Sequence, residues 1–151
     1  MPKTETDFAR IFREVQPKFS RFYVSVLSRE KLTLSQYAVL SELAAAGKAL
    51  TMTDLSKRLF ITKPAVTSLV DRLEKHRFAS RKAHPSDRRI QLLEIKPLGL
   101  RAVERTQNAV LKVLLKSFSR FDKARQQMIA CFYSDLSSSM DAVLKGAEKC
   151  L

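Results

Sequence analysis

The apolar positions of this chain fall mostly into stripes of helical period, broken near the middle by two short basic strands. From Phe8 they run Ile11, Phe12, Val15, Phe19, Phe22, Tyr23, Val26 and Leu27, steps of three and four that keep one helix face apolar. Pro17 interrupts that stretch. It lacks an N–H and crowds the carbonyl four residues back, so it is expected to kink the helix or start it afresh. A second helix is predicted from about Ser35, read as an N-cap after Leu34, through Val39, Leu40 and Leu43 to a stop at Gly47. Val66, Leu69, Val70 and Leu73 stand at i, i+3, i+4 and i+7 and give a later helix its inward stripe. After the strands, Pro97 suits a first helical turn, and Val103, Val110, Leu111, Leu114, Leu115 and Phe118 follow at helical spacing. A last helix is predicted from near Asp122, where Met128, Ile129, Phe132, Tyr133, Leu136, Met140, Val143 and Leu144 make a broad stripe with almost no turn residues before Gly146.

The segment from Thr51 to Lys96 carries the candidate chemistry: a capped helix, a tight turn, a second capped helix, then two strands, Ser80 to His84 and Arg89 to Ile95, joined by Pro85-Ser86-Asp87-Arg88-Arg89. Thr62 is read as the N-cap of the second helix, with Pro64 in its first turn, where the missing donor costs little. The face opposite Val66 and Val70 holds Lys63, Thr67, Ser68, Asp71, Arg72 and Lys75. Short polar donors near the helix start and longer charges further along suit a helix entering a major groove. Lys63, Ala65, Thr67, Ser68 and Arg72 form the expected groove-facing set, Thr67 and Ser68 for base edges and Lys63 or Arg72 for phosphates. The same pattern on an isolated helix would be a solvated face. In the hairpin, the Asp-x-Arg spacing lets Asp87 hold the Arg89 guanidinium in a fixed pose, which suits a narrow, electronegative minor groove. Arg81, Lys82 and Arg88 would neutralise flanking phosphates, with Pro85 and Ser86 starting the turn. The bland alternative for Asp87 and Arg89 is an exposed ion pair worth at most about 1 kcal/mol.

Composition narrows the partners. The 151 residues are 45% hydrophobic, enough for one ordinary domain with an appended oligomerisation element. Lys and Arg total 28 against 15 Asp and Glu, a formal charge of +13 that points to a polyanion. No apolar run approaches the roughly 20 residues of a spanning helix, and Lys3, Glu5, Asp7 and Arg10 break up any signal-like apolar core, so a cytoplasmic location is expected. Cys131 and Cys150 lack CxxC spacing, so no metal or cofactor is predicted; a packed thiol at Cys131 and an exposed one at Cys150 are expected. His76 and His84 have no acidic partners at motif spacing, and three glycines make no phosphate loop, so no catalytic residue is assigned and an enzyme is not predicted. A basic RNA-binding or non-specific nucleic-acid-binding protein would explain the charge equally well, but the basic ribbon lacks aromatics for stacking on unpaired bases.

The run Val66-Thr67-Ser68-Leu69-Val70-Asp71-Arg72-Leu73-Glu74-Lys75, followed by Pro85-Ser86-Asp87-Arg88-Arg89, resembles the recognition-helix and wing signatures of MarR-family transcriptional regulators. Leu55, Ser56 and Leu59 before it, and Pro97 and Gly99 after it, extend the resemblance to nearly the whole chain. It implies a mainly α fold with a small β-wing, in one domain over residues 1–151. A winged helix-turn-helix portion at about 33–96 would be flanked by dimerisation helices at about 5–30 and 97–149. It implies a homodimer on a pseudo-palindromic duplex operator, Ser56 among the DNA contacts, and in many members release by a small ligand. Such a ligand would bind between the dimer helices and the DNA module, where Phe12, Phe19, Phe22, Tyr23 and Tyr37 are aromatic candidates, each more simply read as core. The terminal apolar stripes have no core of their own to cover them; either they pair across a twofold axis or they close an intramolecular bundle.

Two positions depart from the family pattern. Arg77 stands where glycine is usual at the end of the recognition helix, and a side chain there is a poor substitute if the backbone takes positive φ, so an altered helix end is expected. Lys96 stands where threonine is usual before Pro97, so the next helix should lack its N-cap oxygen.

Overall fold

The computed structural model describes residues 3–87 and 89–148, so Arg88 and Cys150 lie outside it. Its elements, in chain order, are α1 (Lys3–Arg29), α2 (Leu34–Ala46), β1 (Leu50–Thr51), α3 (Met52–Leu59), α4 (Lys63–Lys75), β2 (Ala79–Ala83), β3 (Gln91–Ile95), α5 (Pro97–Phe118) and α6 (Lys123–Glu148). Helices α2 to α4 and the first half of α5 enclose the core with a three-stranded antiparallel sheet of order β1-β3-β2. Leu27, Leu40, Leu43, Leu55, Leu73 and Leu93 are fully buried there, as are Val39, Val66, Val70 and Val103. This is a winged helix carried between long terminal helices.

Several expectations are corrected. Pro17 does not restart the first helix: α1 runs unbroken through it. The stripe from Phe8 to Leu27 keeps one helical phase across the proline, which sits on the opposite, exposed side. Helix α2 begins one residue earlier than expected and is capped by Thr33, not Ser35. The Gln36 N–H donates to Thr33 Oγ1 at 3.3 Å and the Thr33 N–H to Gln36 Oε1 at 2.9 Å, a reciprocal box that Ser35, already helical, has no need to supply. Strand β3 begins at Gln91 rather than Arg89, because the Ile90 N–H bonds the Asp87 carbonyl at 3.0 Å. Helix α6 continues past Gly146 to Glu148. Strand β1 was not anticipated; two residues are too few for any periodic signal.

The helix ends explain the departures at Arg77 and Lys96. Arg77 takes φ +58°, and α4 still closes through backbone hydrogen bonds. The Phe78 N–H reaches the Leu73 carbonyl and the Arg77 N–H the Glu74 carbonyl, both at 2.9 Å, with Phe78 and Leu73 buried together beneath them. The closure that glycine normally serves is formed with arginine in the left-handed region. At α5, Lys96 provides no side-chain cap, as expected, and Pro97 occupies the first turn. Here the Lys96 N–H donates instead to the Phe78 carbonyl at 2.9 Å. Gly99 passes so close to that carbonyl that a β-carbon would lie 2.2 Å from the oxygen.

Candidate nucleic-acid interface

Helix α3 is set by Thr51 and Asp54, which cap one another: the Asp54 N–H donates to Thr51 Oγ1 at 3.0 Å and the Thr51 N–H to Asp54 Oδ2 at 3.1 Å. The Thr51 hydroxyl also donates to that carboxylate at 2.7 Å, and these bonds hold Asp54 below its usual pKa. The turn into α4 is made by Phe60 at φ +53°. Ser56 locks it by donating its hydroxyl to the Ile61 carbonyl at 2.7 Å. Ser56 is half-buried and committed to the turn.

Helix α4 starts as expected, with Thr62 Oγ1 accepting from the Ala65 N–H at 3.4 Å and Pro64 in the first turn. Val66, Val70 and Leu73 are buried, and Leu69 packs against the core from a half-buried position. Lys63, Pro64, Ala65, Thr67, Ser68, Asp71, Arg72 and Lys75 are all exposed. The Thr67 hydroxyl donates to the Lys63 carbonyl at 3.0 Å, which leaves its oxygen lone pairs outward. Ser68 and Arg72 border a groove of about 380 Å³ that also touches Ser35 at the start of α2 and Ile61 in the turn.

In the wing, β2 and β3 pair from Ala79 opposite Ile95 to Ala83 opposite Gln91. Arg89 is 91% exposed, yet it is not free. Its N–H and its Nε donate to Asp87 Oδ1 at 3.0 and 3.2 Å, and Nη2 donates to Oδ2 at 3.4 Å. These bonds keep the Asp87 carboxyl below its usual pKa, the backbone bond contributing most. The Ser86 N–H turns inward to His84 Nδ1 at 3.2 Å, and the Ser86 side chain is exposed. Lys82, expected at a phosphate, is engaged with Glu94 at 2.5 Å, a contact that lowers the Glu94 pKa. Arg81 is more fully committed. Its guanidinium meets Glu74 and Asp71, and only a quarter of its side chain is exposed. Sequence reasoning missed this cluster, although the acids of Asp71-Arg72-Leu73-Glu74 followed by an arginine on the next strand were available as its signal.

The aromatic candidates divide. Tyr37 is core, Tyr23 and Phe22 are half-buried, and Phe12 and Phe19 are exposed at 58% and 39%, so the last two are not core residues within one chain. Tyr23 and Tyr37 meet edge to face at 5.6 Å, and burial together with that contact pushes the Tyr23 phenol up in pKa. Cys131 is exposed on α6, not packed.

Residues 31–90 match the model of the MarR family. Among solved structures, the YusO protein from Bacillus subtilis is similar over 89% of this chain and 94% of its own, at 20% identity and a TM-score of 0.77. The transcriptional regulator Tm0710 from Thermotoga maritima is similar over 93% and 98%, at 26% identity and a TM-score of 0.70. A variant of MepR from Staphylococcus aureus, solved bound to an oligodeoxyribonucleotide, is similar over 88% and 97%, at 21% identity and a TM-score of 0.70. Comparison with curated proteins finds no match. The likeness covers about nine-tenths of this chain in each case, so the fold is the one these structures share.

Proposed function

We propose that the protein is a sequence-specific duplex-DNA-binding transcriptional regulator, a cytoplasmic repressor that acts as a homodimer on a pseudo-palindromic operator and is released by a small ligand. One observation carries the reading: the exposed polar face of α4 adjoins a wing whose tip presents Arg89 fully to solvent but held in one pose by Asp87. An ion pair so exposed adds little to stability, so its geometry needs another reason. In this reading Thr67 and Ser68 meet base edges in the major groove, with Lys63, Ala65 and Arg72 beside them and the Thr62-Pro64 turn aiming the helix start at the backbone. Arg89 enters the adjacent minor groove, and Ser86 and Arg88 flank it.

Residues of about 33–96 thus read DNA, while about 5–30 and 97–149 join two copies. Support for the pairing is the apolar surface that one chain leaves uncovered: Leu111, Leu114, Leu115, Phe132 and Tyr133 remain 38 to 55% exposed. Phe8 does pack on Phe132 within the chain at 5.8 Å, but both rings stay about half exposed. The ligand response draws on likeness alone, since MepR has been solved bound to ethidium bromide.

The test is selection from a random-sequence duplex pool with single-stranded RNA of equal length as competitor. Enrichment of an inverted repeat that RNA does not displace is expected. Equal displacement by RNA, with no motif enriched, would overturn the reading in favour of a general nucleic-acid-binding protein.

A further inference from the structure

Arg81 lies on β2, faces α4, and directs its backbone N–H and both terminal guanidinium nitrogens to that helix. Its Nη1 bonds Glu74 Oε2, its Nη2 bonds Asp71 Oδ1 at 2.6 Å and reaches the Thr67 carbonyl at 3.4 Å, and its own N–H donates to Glu74 Oε1 at 2.7 Å. Asp71 and Glu74 are the only carboxylates on α4, and Asp71 stands on the face with Thr67 and Arg72. A single guanidinium therefore joins the wing's first strand to three positions of the helix, and offsets part of the negative charge that the helix would bring toward phosphates. Lysine cannot do the same, because a point ammonium lacks the planar fork that spans two carboxylates.

We infer that Arg81 is a positioning residue for DNA recognition, a clamp that sets α4 against the wing and offsets part of the charge of Asp71 and Glu74, and is not itself a phosphate contact. The inference rests on the reading of α4 and the wing as a duplex-DNA interface. Two consequences separate a clamp from a contact. A lost phosphate contact weakens binding on every duplex alike and lowers the salt slope by about one. A lost clamp lets helix and wing move independently, so it costs most on the duplex that engages both at once. It also leaves the number of displaced counterions unchanged, because Arg81 displaced none.

The experiment measures dissociation constants across a salt series on the inverted repeat from the selection and on a scrambled duplex of the same length. Its proteins are the parent, Arg81→Ala, Arg81→Lys, Asp71→Asn/Glu74→Gln, and the triple variant combining that pair with Arg81→Ala. Arg81→Ala is expected to lose at least about tenfold in the ratio of selected to scrambled affinity, with the salt slope unchanged and no rescue by Arg81→Lys. Asp71→Asn/Glu74→Gln should lose preference for the repeat while binding the scrambled duplex no more weakly than the parent. Adding Arg81→Ala to it should cost little more. A slope that falls by about one in Arg81→Ala, with the same loss on both duplexes and again in the neutralised background, would overturn the clamp. So would a parent-like Arg81→Ala. If Arg81→Ala does not fold, Arg81→Lys and the carboxamide pair still decide, since both keep the side-chain volumes. A parent protein that prefers neither duplex refutes the DNA reading instead, independently of the clamp.

Discussion

Glu30 and Arg105, 75 positions apart, meet through two hydrogen bonds, from Arg105 Nε to Oε1 at 2.9 Å and from Nη2 to Oε2 at 2.6 Å. The pair ties the end of α1 to the middle of α5, where the terminal helices leave the winged-helix core. The hydrogen bond from Arg105, ahead of its charge, lowers the Glu30 pKa, and burial opposes it. A carboxylate with a depressed folded pKa gives stability that is complete above its ordinary value near 4.5 and is lost as pH falls through the lower folded value. Thermal melts should therefore show Arg105→Ala less stable than the parent near neutrality, with the difference shrinking below that value. A difference that is constant with pH would mean that the pair contributes through packing alone.

Gly99 approaches Phe78 more closely than any side chain permits. A β-carbon at Gly99 would lie 2.2 Å from the Phe78 carbonyl oxygen, 3.0 Å from its carbon and 3.1 Å from Ile95 Cγ1. That carbonyl is also held by the Lys96 N–H, so it cannot yield without breaking a bond. Gly99→Ala should cost about 1 to 3 kcal/mol in urea unfolding, the usual range for overpacking. An unchanged midpoint would show that α5 slides away at no cost.

Arg77 gives the opposite sign. A side chain in the left-handed region costs about 1 to 2 kcal/mol, against about 0.5 to 1 for the extra freedom glycine gains on unfolding. Arg77→Gly should raise stability by about 0.5 to 1 kcal/mol, seen as a higher urea midpoint with the same slope. A lower midpoint would mean that the arginine side chain makes a compensating contact.

How much of this was legible depended on whether the signal was local. The stripe Val66, Val70, Leu73 and the cap at Thr62 were readable because period and capping are properties of neighbouring residues, and the Asp87 to Arg89 pair because two positions define it. Thr33 was missed in favour of Ser35, since both are good caps and only Gln36, three residues after Thr33, breaks the tie. The bonds from Arg81 to Asp71 and Glu74 were not legible, because a basic residue on a basic strand looks free until its distance to them is known. Phe12 and Phe19 read as core because period shows which side of a helix is apolar and not what covers it.

The uncovered face of α5 and α6 bears on assembly. Leu115 is 49% exposed in one chain and lines an apolar groove of about 330 Å³ with Leu111, Phe118 and Tyr133. Sedimentation should find a dimer at micromolar concentration in both low and molar salt, because apolar burial is not screened. Leu115→Glu should sediment as a folded monomer, since its charge would be buried without a partner. A parent protein that is monomeric would refute the pairing.

Hydroxyl-radical footprinting on the selected duplex, with the parent and Arg89→Ala side by side, tests the docking most directly. The parent should protect two symmetric stretches centred about 10 bp apart or a multiple of that, each flanked by a protected minor groove. Arg89→Ala should keep the symmetric pattern, lose the flanking protection, and bind more weakly by about 1 to 3 kcal/mol. A single or directly repeated footprint, or an Arg89→Ala pattern and affinity equal to the parent's, would contradict the helix-and-wing account.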